Sequence, residues 1–247
     1  ANYKKIQNIS SKGRKGDLVT NVDLEVEKLI KDFLINKTSE ISILAEESGK
    51  LDRENDLIWC IDPLDGTTNY SHGYPFFGTS IGLVYKDLPI LGAIAVPYLD
   101  ELYWGCIDRG SFCNNKRLKV STPKDLNESL LVTGFAYDRF DIEDNNYSEF
   151  CWLTNKTRGV RRGGAAAVDL AFVASGKVDG FWERGLEKWD IAAGSIIVYE
   201  AGGKISNYPE GDFELSSGRI LSCSPTIEKE LKEELSKVRP LNRQLYT

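Results

Sequence analysis

The spacing of apolar residues changes along the chain, and each change predicts a different element. Between residues 22 and 36, apolar positions recur at the three-to-four-residue interval of a helix, which predicts an amphipathic helix that begins near Thr20-Asn21. The residues that carry this pattern are Val22, Val26, Leu29, Ile30 and Phe33. At 57–61 the apolar run is continuous instead, which predicts a buried strand.

Shorter patterned runs predict the remaining elements. In the first half we expect antiparallel strands at 80–85, 90–97 and 101–106, followed by a small hairpin near Asn114-Asn115. Beyond residue 121 the pattern predicts strands at 130–134, 178–183 and 218–223 among helices at 145–156, 165–175, 190–201 and 225–238. The predicted class is therefore α+β, a mixed α/β protein. A boundary near residue 120 would separate 1–120 from 121–247, with the active site along their interface.

The predicted buried strand runs directly into two carboxylates, Asp62 and Asp65, and then into Gly66-Thr67. Polar residues just beyond such a strand lie where α/β proteins bind ligands. Carboxylates and the Leu64 carbonyl are hard oxygen ligands of the kind that Mg²⁺ prefers, and a helix opened by Gly66-Thr67 would present N–H groups to an anion. Asp, Pro and Gly at this spacing also form ordinary turns. The metal and phosphate interpretation therefore depends on acidic partners elsewhere in the chain, which occur in 45–48 and 189–194.

Composition narrows the functional classes. The chain of 247 residues carries 31 basic and 37 acidic residues, a net charge of −6, with no long Lys/Arg block. This balance gives little electrostatic support to a nucleic-acid or membrane-surface role, so the expected partners are small molecules. Five cysteines without a C-x-x-C pair indicate reduced thiols in a cytoplasmic compartment, and no apolar run reaches the roughly 20 residues that span a bilayer. The chain begins at Ala1 and contains no Met, which predicts a processed or truncated N-terminus.

Several other segments accompany the motif at 57–70, namely 16–20 with Asp23, the helix start at Gly164-Ala165-Ala166-Ala167, 180–183 and 200–203. Together they resemble the inositol monophosphatase family of Mg²⁺-dependent, lithium-sensitive sugar phosphatases, and the resemblance covers nearly the whole chain. It implies a layered α/β/α/β/α sandwich and a homodimer. The implied activity is hydrolysis of inositol monophosphate to inositol and phosphate, by direct attack of a metal-activated water and without a covalent phosphoenzyme.

The resemblance also implies the ligands of two to three Mg²⁺ ions in each active site. Glu46, Asp62 and the carbonyl of Leu64 would hold the first ion, and Asp62, Asp65 and Asp190 the second. Asp17 would reach a third ion through water. Two carboxylates about 4 Å apart repel by about 4 kcal/mol at an effective dielectric of about 20, so grouping these side chains makes sense only where cations occupy the space between them.

Catalytic and substrate contacts follow from the same resemblance. Glu46 would orient and deprotonate the water, with the Thr67 hydroxyl as a second contact and Asp23 holding that hydroxyl. The implied substrate-binding residues are Asp65, Gly66, Thr67, Gly164, Ala165, Ala166, Glu183 and Asp190. Among these, the backbone N–H groups of Gly66 and Thr67 would hold the phosphate, and Glu183 would accept hydrogen bonds from ring hydroxyls.

Alternatives stay open at this point. A basic group near the substrate segments would suit a second phosphate if it lined the pocket, although a surface or dimer role is equally open; it comprises Arg158, Arg161, Arg162, Arg184 and Lys188. A second phosphate would favour a fructose-1,6-bisphosphatase or dual-activity sugar phosphatase, and histidinol-phosphatase is a further family activity. A different class is a catalytically silent binding or regulatory module on the same fold. Such a module would lack a ligand such as Glu46 or Asp65, yet all the expected ligands are present.

Overall fold

The computed structural model describes residues 9–11 and 18–240, so Asp17 lies outside the described residues. The helices in this part of the chain are α1 (Asn21–Lys37), α2 (Thr67–Ser71), α3 (Tyr147–Thr154), α4 (Ala166–Ala174), α5 (Lys188–Glu200) and α6 (Glu228–Ser236). The strands are β1 (Ile9–Ser11), β2 (Leu18–Thr20), β3 (Ser42–Ala45), β4 (Gly49–Leu51), β5 (Leu57–Asp65), β6 (Gly78–Tyr85), β7 (Leu88–Val96), β8 (Glu101–Cys106), β9 (Gly110–Cys113), β10 (Lys116–Arg117), β11 (Leu130–Thr133), β12 (Gly159–Arg162), β13 (Gly180–Arg184), β14 (Lys204–Ser206) and β15 (Arg219–Cys223).

Two large sheets carry the fold. The first has eight strands in the order β10-β9-β8-β7-β6-β5-β3-β4 and is antiparallel except where β3 runs parallel to β5. The second has five strands in the order β12-β11-β13-β15-β14, parallel among the first three and antiparallel at β15 and β14. Strands β1 and β2 form a separate antiparallel pair. The predicted mixed α+β class is confirmed.

The alternation of side chains along the strands builds five layers. On the first sheet, Ile61 packs with Leu34 of α1, whereas its neighbour Cys60 joins a central core with α4 and α5. On the second sheet, Phe181 belongs to that same central core, whereas its neighbour Trp182 packs with residues of α3 and α6. The order of layers is α1, first sheet, α4 with α5, second sheet, and α3 with α6. This is the α/β/α/β/α sandwich that the resemblance implied.

Helix α5 packs closely on the first sheet because small residues face each other. A Cβ atom at Gly92 of β7 would lie 2.4 Å from the carbonyl oxygen of Ala193, so only glycine allows this approach. Gly194 faces α4, where a Cβ atom would lie 2.5 Å from the side chain of Leu170. The small residues of α5 therefore serve packing on both sides, and this packing fixes the start of the helix, where Asp190 lies.

Most predicted elements are present within a few residues of their expected bounds. The differences arise where pairing with a distant strand determines whether a segment is a strand and where it ends. The strand predicted at 57–61 continues as β5 to Asp65, with a register shift between Asp62 and Asp65. Strands β3, β4, β12 and β14 were not predicted. Each has only three or four residues, too few for a periodic pattern to identify a strand.

Helix α1 is confirmed, and Val22, Val26 and Ile30 of its apolar pattern pack against buried residues, but the other two residues of the pattern do not. Leu29 and Phe33 are 70% and 61% exposed. Two carboxylates, Asp23 and Glu27, are buried instead, together with Val22 and Leu34. The physical reason is that both carboxylates accept several hydrogen bonds, described below, which offset the cost of removing them from water.

The boundary near residue 120 remains a prediction. The first sheet is built from strands between residues 42 and 117, and the second from strands between 130 and 223. One central core nevertheless includes residues from both sides of the boundary, for example Cys60 and Phe181. No helix in the described part of the chain is long and apolar enough to cross a membrane.

Candidate active site

The last residues of strand β5 carry two of the predicted carboxylates, Asp62 and Asp65. The Leu64 N–H donates to Asp62 Oδ1 at 2.9 Å, which fixes the Asp62 side chain against its own turn. Gly66 follows with a left-handed φ of 87°, a conformation that favours glycine. Helix α2 begins at the next residue, Thr67. The backbone therefore reverses directly after Asp65 and leaves both carboxylates at the start of α2.

The parallel pairing of β3 with β5 brings Glu46 to the same edge of the sheet. Ala45 lies opposite Ile61, and the Glu46 N–H donates to the Ile61 carbonyl at 3.1 Å. Glu46 therefore lies beside Asp62, close enough for its carboxylate to raise the pKa of Asp62. Sheet pairing, which the local sequence does not reveal, is what groups these side chains.

Glu27 of α1 supports the turn that carries Glu46. Its Oε2 atom accepts the Glu47 N–H at 2.8 Å, and its Oε1 atom accepts the Ser48 N–H at 3.0 Å. Sequence reasoning missed this residue. The available signal was its position one helical turn after Asp23, on the same face of α1.

The Thr67 hydroxyl lies 2.9 Å from Asp23 Oδ1 and 3.0 Å from the carbonyl oxygen of Leu64. The other oxygen of Asp23, Oδ2, accepts the backbone N–H of Thr20 at 2.9 Å and its hydroxyl at 2.5 Å. These contacts form the capping box that begins α1. Because Thr20 fixes one oxygen of Asp23, the other oxygen is oriented towards Thr67.

Asp65 and Asp190 are held by backbone N–H groups at the starts of two helices. Asp65 Oδ2 accepts the N–H groups of Ala167 and Val168, at 2.8 and 3.2 Å, in the first turn of α4. Asp190 Oδ2 accepts the Glu187 N–H at 2.7 Å, within the capping box that begins α5. Helix α4 therefore orients the Asp65 carboxylate, and helix α5 supplies the Asp190 carboxylate.

Three carboxyl groups at this edge, Asp62, Asp65 and Asp190, have raised pKa values. Burial is the main cause for Asp62 and Asp190, whose pKa values lie well above the usual range, and the neighbouring Glu46 carboxylate adds to both shifts. Burial also raises the pKa of Asp65 to about 7, although the N–H groups of α4 oppose that rise. Carboxylates from three separate strands or helices are therefore close enough to interact strongly.

The donor chemistry at this edge fits a hard divalent cation. Carboxylate oxygens and a backbone carbonyl, that of Leu64, are the ligands that Mg²⁺ takes in proteins. Among residues 9–11 and 18–240, however, no three His, Cys, Asp or Glu side chains stand close enough to form a complete metal cage. The structure brings the predicted carboxylates close enough for Glu46 to add to the raised pKa values of Asp62, Asp65 and Asp190.

A cavity of about 450 Å³ opens beside this group. Most of the predicted substrate-binding residues line it, namely Asp65, Gly66, Gly164, Ala165, Ala166, Glu183 and Asp190. Thr67 is not part of the lining, although its neighbour Thr68 is. Burial raises the pKa of Glu183 to about 8, and the positive charge of Arg162 opposes that rise. One wall of the cavity therefore carries Glu183 within electrostatic reach of Arg162 on one side and of Asp65 and Asp190 on the other.

Asn69 connects α2 to the opposite wall of the cavity. Its amide nitrogen donates to the carbonyls of Phe76 and Gly163 at 2.7 and 3.0 Å. Gly163 immediately precedes the turn that leads into α4. This structural role of Asn69 was not predicted, because it depends on a contact across more than ninety positions of the chain.

The basic group suggested for a second phosphate is not assembled as a unit. Arg162 lines the cavity, whereas the other members, Arg158, Arg161, Arg184 and Lys188, are not part of the lining. Arg184 is instead bound to Asp138 by two hydrogen bonds, at 3.0 and 2.9 Å. Arg139, which sequence reasoning missed, joins Arg162 in the cavity wall.

Comparison with known proteins gives a consistent result. The profile of the inositol monophosphatase family matches residues 1–242. The inositol-1-monophosphatase of Synechocystis is 49% identical over 233 residues, which cover 94% of this chain and 81% of that protein. The Nus factor SuhB of Escherichia coli K12 is 38% identical over 232 residues, 92% of this chain and 86% of that protein. The solved inositol monophosphatase of Anabaena superposes with a TM-score of 0.86 at 49% identity, covering 89% of this chain and 87% of that structure.

The family match and these relatives thus define the chain as a phosphoric monoester hydrolase. The chain belongs to the inositol monophosphatase family, whose members are generally metal-dependent and typically sensitive to lithium.

Proposed function

We propose that this protein hydrolyses the phosphate ester of a small polyol, with myo-inositol 1-phosphate as the substrate and Mg²⁺ as the metal. The observation that carries the proposal is the arrangement at the end of β5. There the Asp23–Thr67 contact and the carboxylates of Glu46, Asp62, Asp65 and Asp190 lie at the edge of a cavity that Asp65, Asp190 and Glu183 help to line. The relative named inositol-1-monophosphatase supports the choice of substrate.

Four carboxylates and the Leu64 carbonyl would hold two Mg²⁺ ions, with Asp17 as a candidate contact to a third. When bound, Mg²⁺ would polarise the phosphoryl oxygens and lower the pKa of water in the site. The preceding contacts give each ligand its orientation. Glu27 fixes the turn of Glu46, and the N–H groups of α4 fix Asp65.

Residues of the chain itself would orient the attacking water and accept its proton. Glu46 accepts that proton, and the Thr67 hydroxyl, held by Asp23, gives the water a second contact. The water oxygen forms a bond to phosphorus, the ester P–O bond breaks, and the departing polyol oxygen takes up a proton from solvent, to which Glu46 releases the proton that it accepted. The products are the polyol and inorganic phosphate.

The substrate end of the cavity is where recognition of the polyol would occur. Gly66 and Thr67 would contact the phosphate through backbone N–H groups, with Asp65 and Asp190 beside it, while the turn at Gly164–Ala166 would contact the ring. Glu183 would accept hydrogen bonds from vicinal hydroxyls. Its buried position in the wall supports this role, because a buried carboxyl oxygen gains from each hydrogen-bond donor that the substrate supplies.

Phosphate release from inositol 1-phosphate, with and without Mg²⁺, tests the proposal. Asp65→Asn keeps the oxygen that the N–H groups of α4 contact but removes the charge, so release should fall to background. Asp56→Asn is the matched control, because Asp56 lies at the opposite end of the same strand in an exposed pair with Lys86. Release that does not need Mg²⁺, or that survives Asp65→Asn, would refute the proposal.

A catalytically silent binding module is the rival from another class. The relatives named Nus factor SuhB are the reason to test this alternative. The complete set of carboxylates argues against it, because a module that had lost catalysis would have no reason to retain Glu46 and Asp65 at a cost in repulsion. Normal Mg²⁺ binding by calorimetry without turnover of any tested phosphate ester would favour the module.

We further infer a cytoplasmic homodimer. On β8, Leu102 and Trp104 are 47% and 39% exposed, and Trp104 stacks on Phe112 with ring centroids 4.5 Å apart. Such an apolar surface supports self-association, and all five cysteines are free, which is typical of a reducing compartment. Light scattering should give twice the chain mass, and Trp104→Glu should give the mass of a single chain.

A further inference from the structure

We propose that Arg184 is a positioning residue for the substrate cavity. It holds residues 134–146 in place as one wall, and this wall favours the phosphate ester of a ring polyol over that of a smaller, open-chain alcohol. The inference rests on the proposed phosphatase function and names the substrate class of the same site. Arg184 is not part of the cavity lining, whereas the wall segment, residues 134–146, contributes Gly134, Phe135, Ala136, Tyr137 and Arg139.

The two ends of the wall segment are fixed to each other. Asn146 has a left-handed φ of 69°, and its Nδ2 atom donates to the Gly134 carbonyl at 2.7 Å. The indole N–H of Trp182 donates to Asn146 Oδ1 at 2.6 Å and so anchors the same amide to β13. Phe135 packs against α3, with its ring centroid 5.1 Å from that of Tyr147. The wall segment is therefore a closed loop on a rigid base.

Arg184 joins both arms of this loop. Its Nη1 and Nη2 atoms donate to the two carboxylate oxygens of Asp138 at 3.0 and 2.9 Å, and its Nε atom lies 3.6 Å from Asp144 Oδ2. The two aspartates lie on either side of the tip of the loop, so one guanidinium draws both arms onto the end of β13. Because a guanidinium binds a carboxylate through two parallel hydrogen bonds, the contact with Asp138 fixes direction as well as distance.

Gly185 leaves the loop room to approach the end of β13. It has a left-handed φ of 72°, and a Cβ atom there would lie only 2.6 Å from the Cβ atom of Ala136. Three consecutive residues therefore serve the cavity in different ways. Glu183 lines it, Arg184 binds the wall segment, and Gly185 leaves space for that segment. The distance across the cavity between Glu183 and the wall segment thus depends on Arg184.

A charge effect on Glu183 is the simpler role for Arg184. The positive charge of Arg184 opposes the rise that burial causes in the pKa of Glu183. That role needs the charge alone, yet the structure also supplies two carboxylates that orient the guanidinium. Asp138→Asn separates the two roles, because it keeps the Arg184 charge beside Glu183 and removes one carboxylate that Arg184 binds.

The test compares two phosphate esters in the Mg²⁺-loaded protein, inositol 1-phosphate and the smaller glycerol 2-phosphate. Arg184→Gln and Asp138→Asn should each raise KM for inositol 1-phosphate about tenfold with little change in kcat, because the ring loses contacts with the displaced wall. The kcat/KM for glycerol 2-phosphate should stay nearly unchanged. Asp141→Asn is the matched control, because Asp141 is exposed on the same segment and forms no ion pair with the residues that the structure describes.

Hydrogen exchange measures the position of the wall segment without turnover. The Arg139 and Asp141 N–H groups donate to carbonyls of the same segment. Peptides covering 135–145 should therefore exchange at least about tenfold faster in Arg184→Gln and Asp138→Asn than in the wild-type protein. Exchange at the wild-type rate in both variants would overturn the proposal that Arg184 holds the segment.

The kinetic outcomes separate this role from the phosphatase itself. No Mg²⁺-dependent release from either ester by the wild-type protein would refute the proposed function, and the substrate preference with it. Where the wild-type protein is active, equal losses of kcat/KM on both esters would overturn the role of Arg184 in substrate choice. An unchanged KM for inositol 1-phosphate in Asp138→Asn would overturn it as well, even if exchange is faster.

Discussion

Gly134 offers a direct test of the role of Glu183, because the glycine and the carboxylate occupy adjacent space. A Cβ atom at position 134 would lie 2.1 Å from Glu183 Oε2 and 2.2 Å from Oε1, whereas ordinary contact begins at 3.4 Å. Gly134→Ala would therefore force the carboxylate to retreat by about 1.3 Å. Because φ at Gly134 is not positive, alanine itself fits the backbone there.

The backbone at Gly134 is fixed and cannot yield instead. Asn146 Nδ2 donates to the Gly134 carbonyl at 2.7 Å, and Asn146 Oδ1 accepts the indole N–H of Trp182 at 2.6 Å. Both Asn146 and Trp182 are buried. Since Glu183 borders the cavity, free space lies on the cavity side, and the displaced carboxylate would enter the space that the substrate needs.

The magnitude follows from these distances. A positioned group moved by about 1 Å costs roughly 100-fold in rate, and a lost hydrogen bond to a charged group costs about 1.5–3 kcal/mol. We expect kcat/KM on inositol 1-phosphate to fall about 10- to 100-fold, mainly through a higher KM. Overpacking should lower the free energy of unfolding by about 1–3 kcal/mol, which lowers Tm by roughly 2–4 °C per kcal/mol at this chain length.

A double-mutant cycle of Gly134→Ala and Glu183→Ala, measured by steady-state kinetics, shows how much of the Gly134→Ala loss in kcat/KM depends on the Glu183 carboxylate. If Gly134→Ala acts through the carboxylate, it should cost little further activity once Glu183 has been replaced. Thermal unfolding of the same four proteins records the stability change separately. An unchanged kcat/KM in Gly134→Ala, or an equal loss in the presence and absence of Glu183, would refute the reasoning.

Three other predictions test the site and its support. Thr67→Val removes the hydroxyl that contacts Asp23, so kcat should fall about 100-fold or more. Thr67→Ser keeps a hydroxyl and should retain most of the wild-type kcat. Comparable kcat values for the two variants would contradict this role of the hydroxyl. Gly92→Ala brings a Cβ atom to 2.4 Å from a backbone oxygen of α5, so urea unfolding should show a loss of about 1–3 kcal/mol or more, and an unchanged midpoint would contradict it. Because burial raises the pKa of Asp65 to about 7, metal-free protein should lose stability as pH rises through 7, where the unfolded carboxyl is already ionised. Mg²⁺ must displace that proton, so it should raise Tm more at pH 8 than at pH 6, and equal shifts in thermal unfolding would argue against this.

Local sequence predicts the central motif well because its structure is decided locally. The apolar run of β5, the turn residues that follow it and the cap of α1 at Thr20 each rely on neighbours within a few positions. Glu27 could not be predicted this way, because its partners are N–H groups twenty positions away on another turn. Arg139 was missed for a similar reason, since only the path of the chain around the cavity brings it near Arg162.

Helix α1 buries two carboxylates that orient groups of the candidate site, in place of apolar side chains that would only pack. Its buried carboxylates, Asp23 and Glu27, would destabilise the protein if they lacked partners. Asp23 instead accepts hydrogen bonds from Thr20 and Thr67, and Glu27 accepts two N–H groups from the turn of Glu46. One helix therefore orients both a hydroxyl and a carboxylate of the candidate site. Because those two groups come from different strand ends, the relative position of Thr67 and Glu46 depends on α1 as a rigid support, and a change at either buried carboxylate should disturb the site before it disturbs the fold.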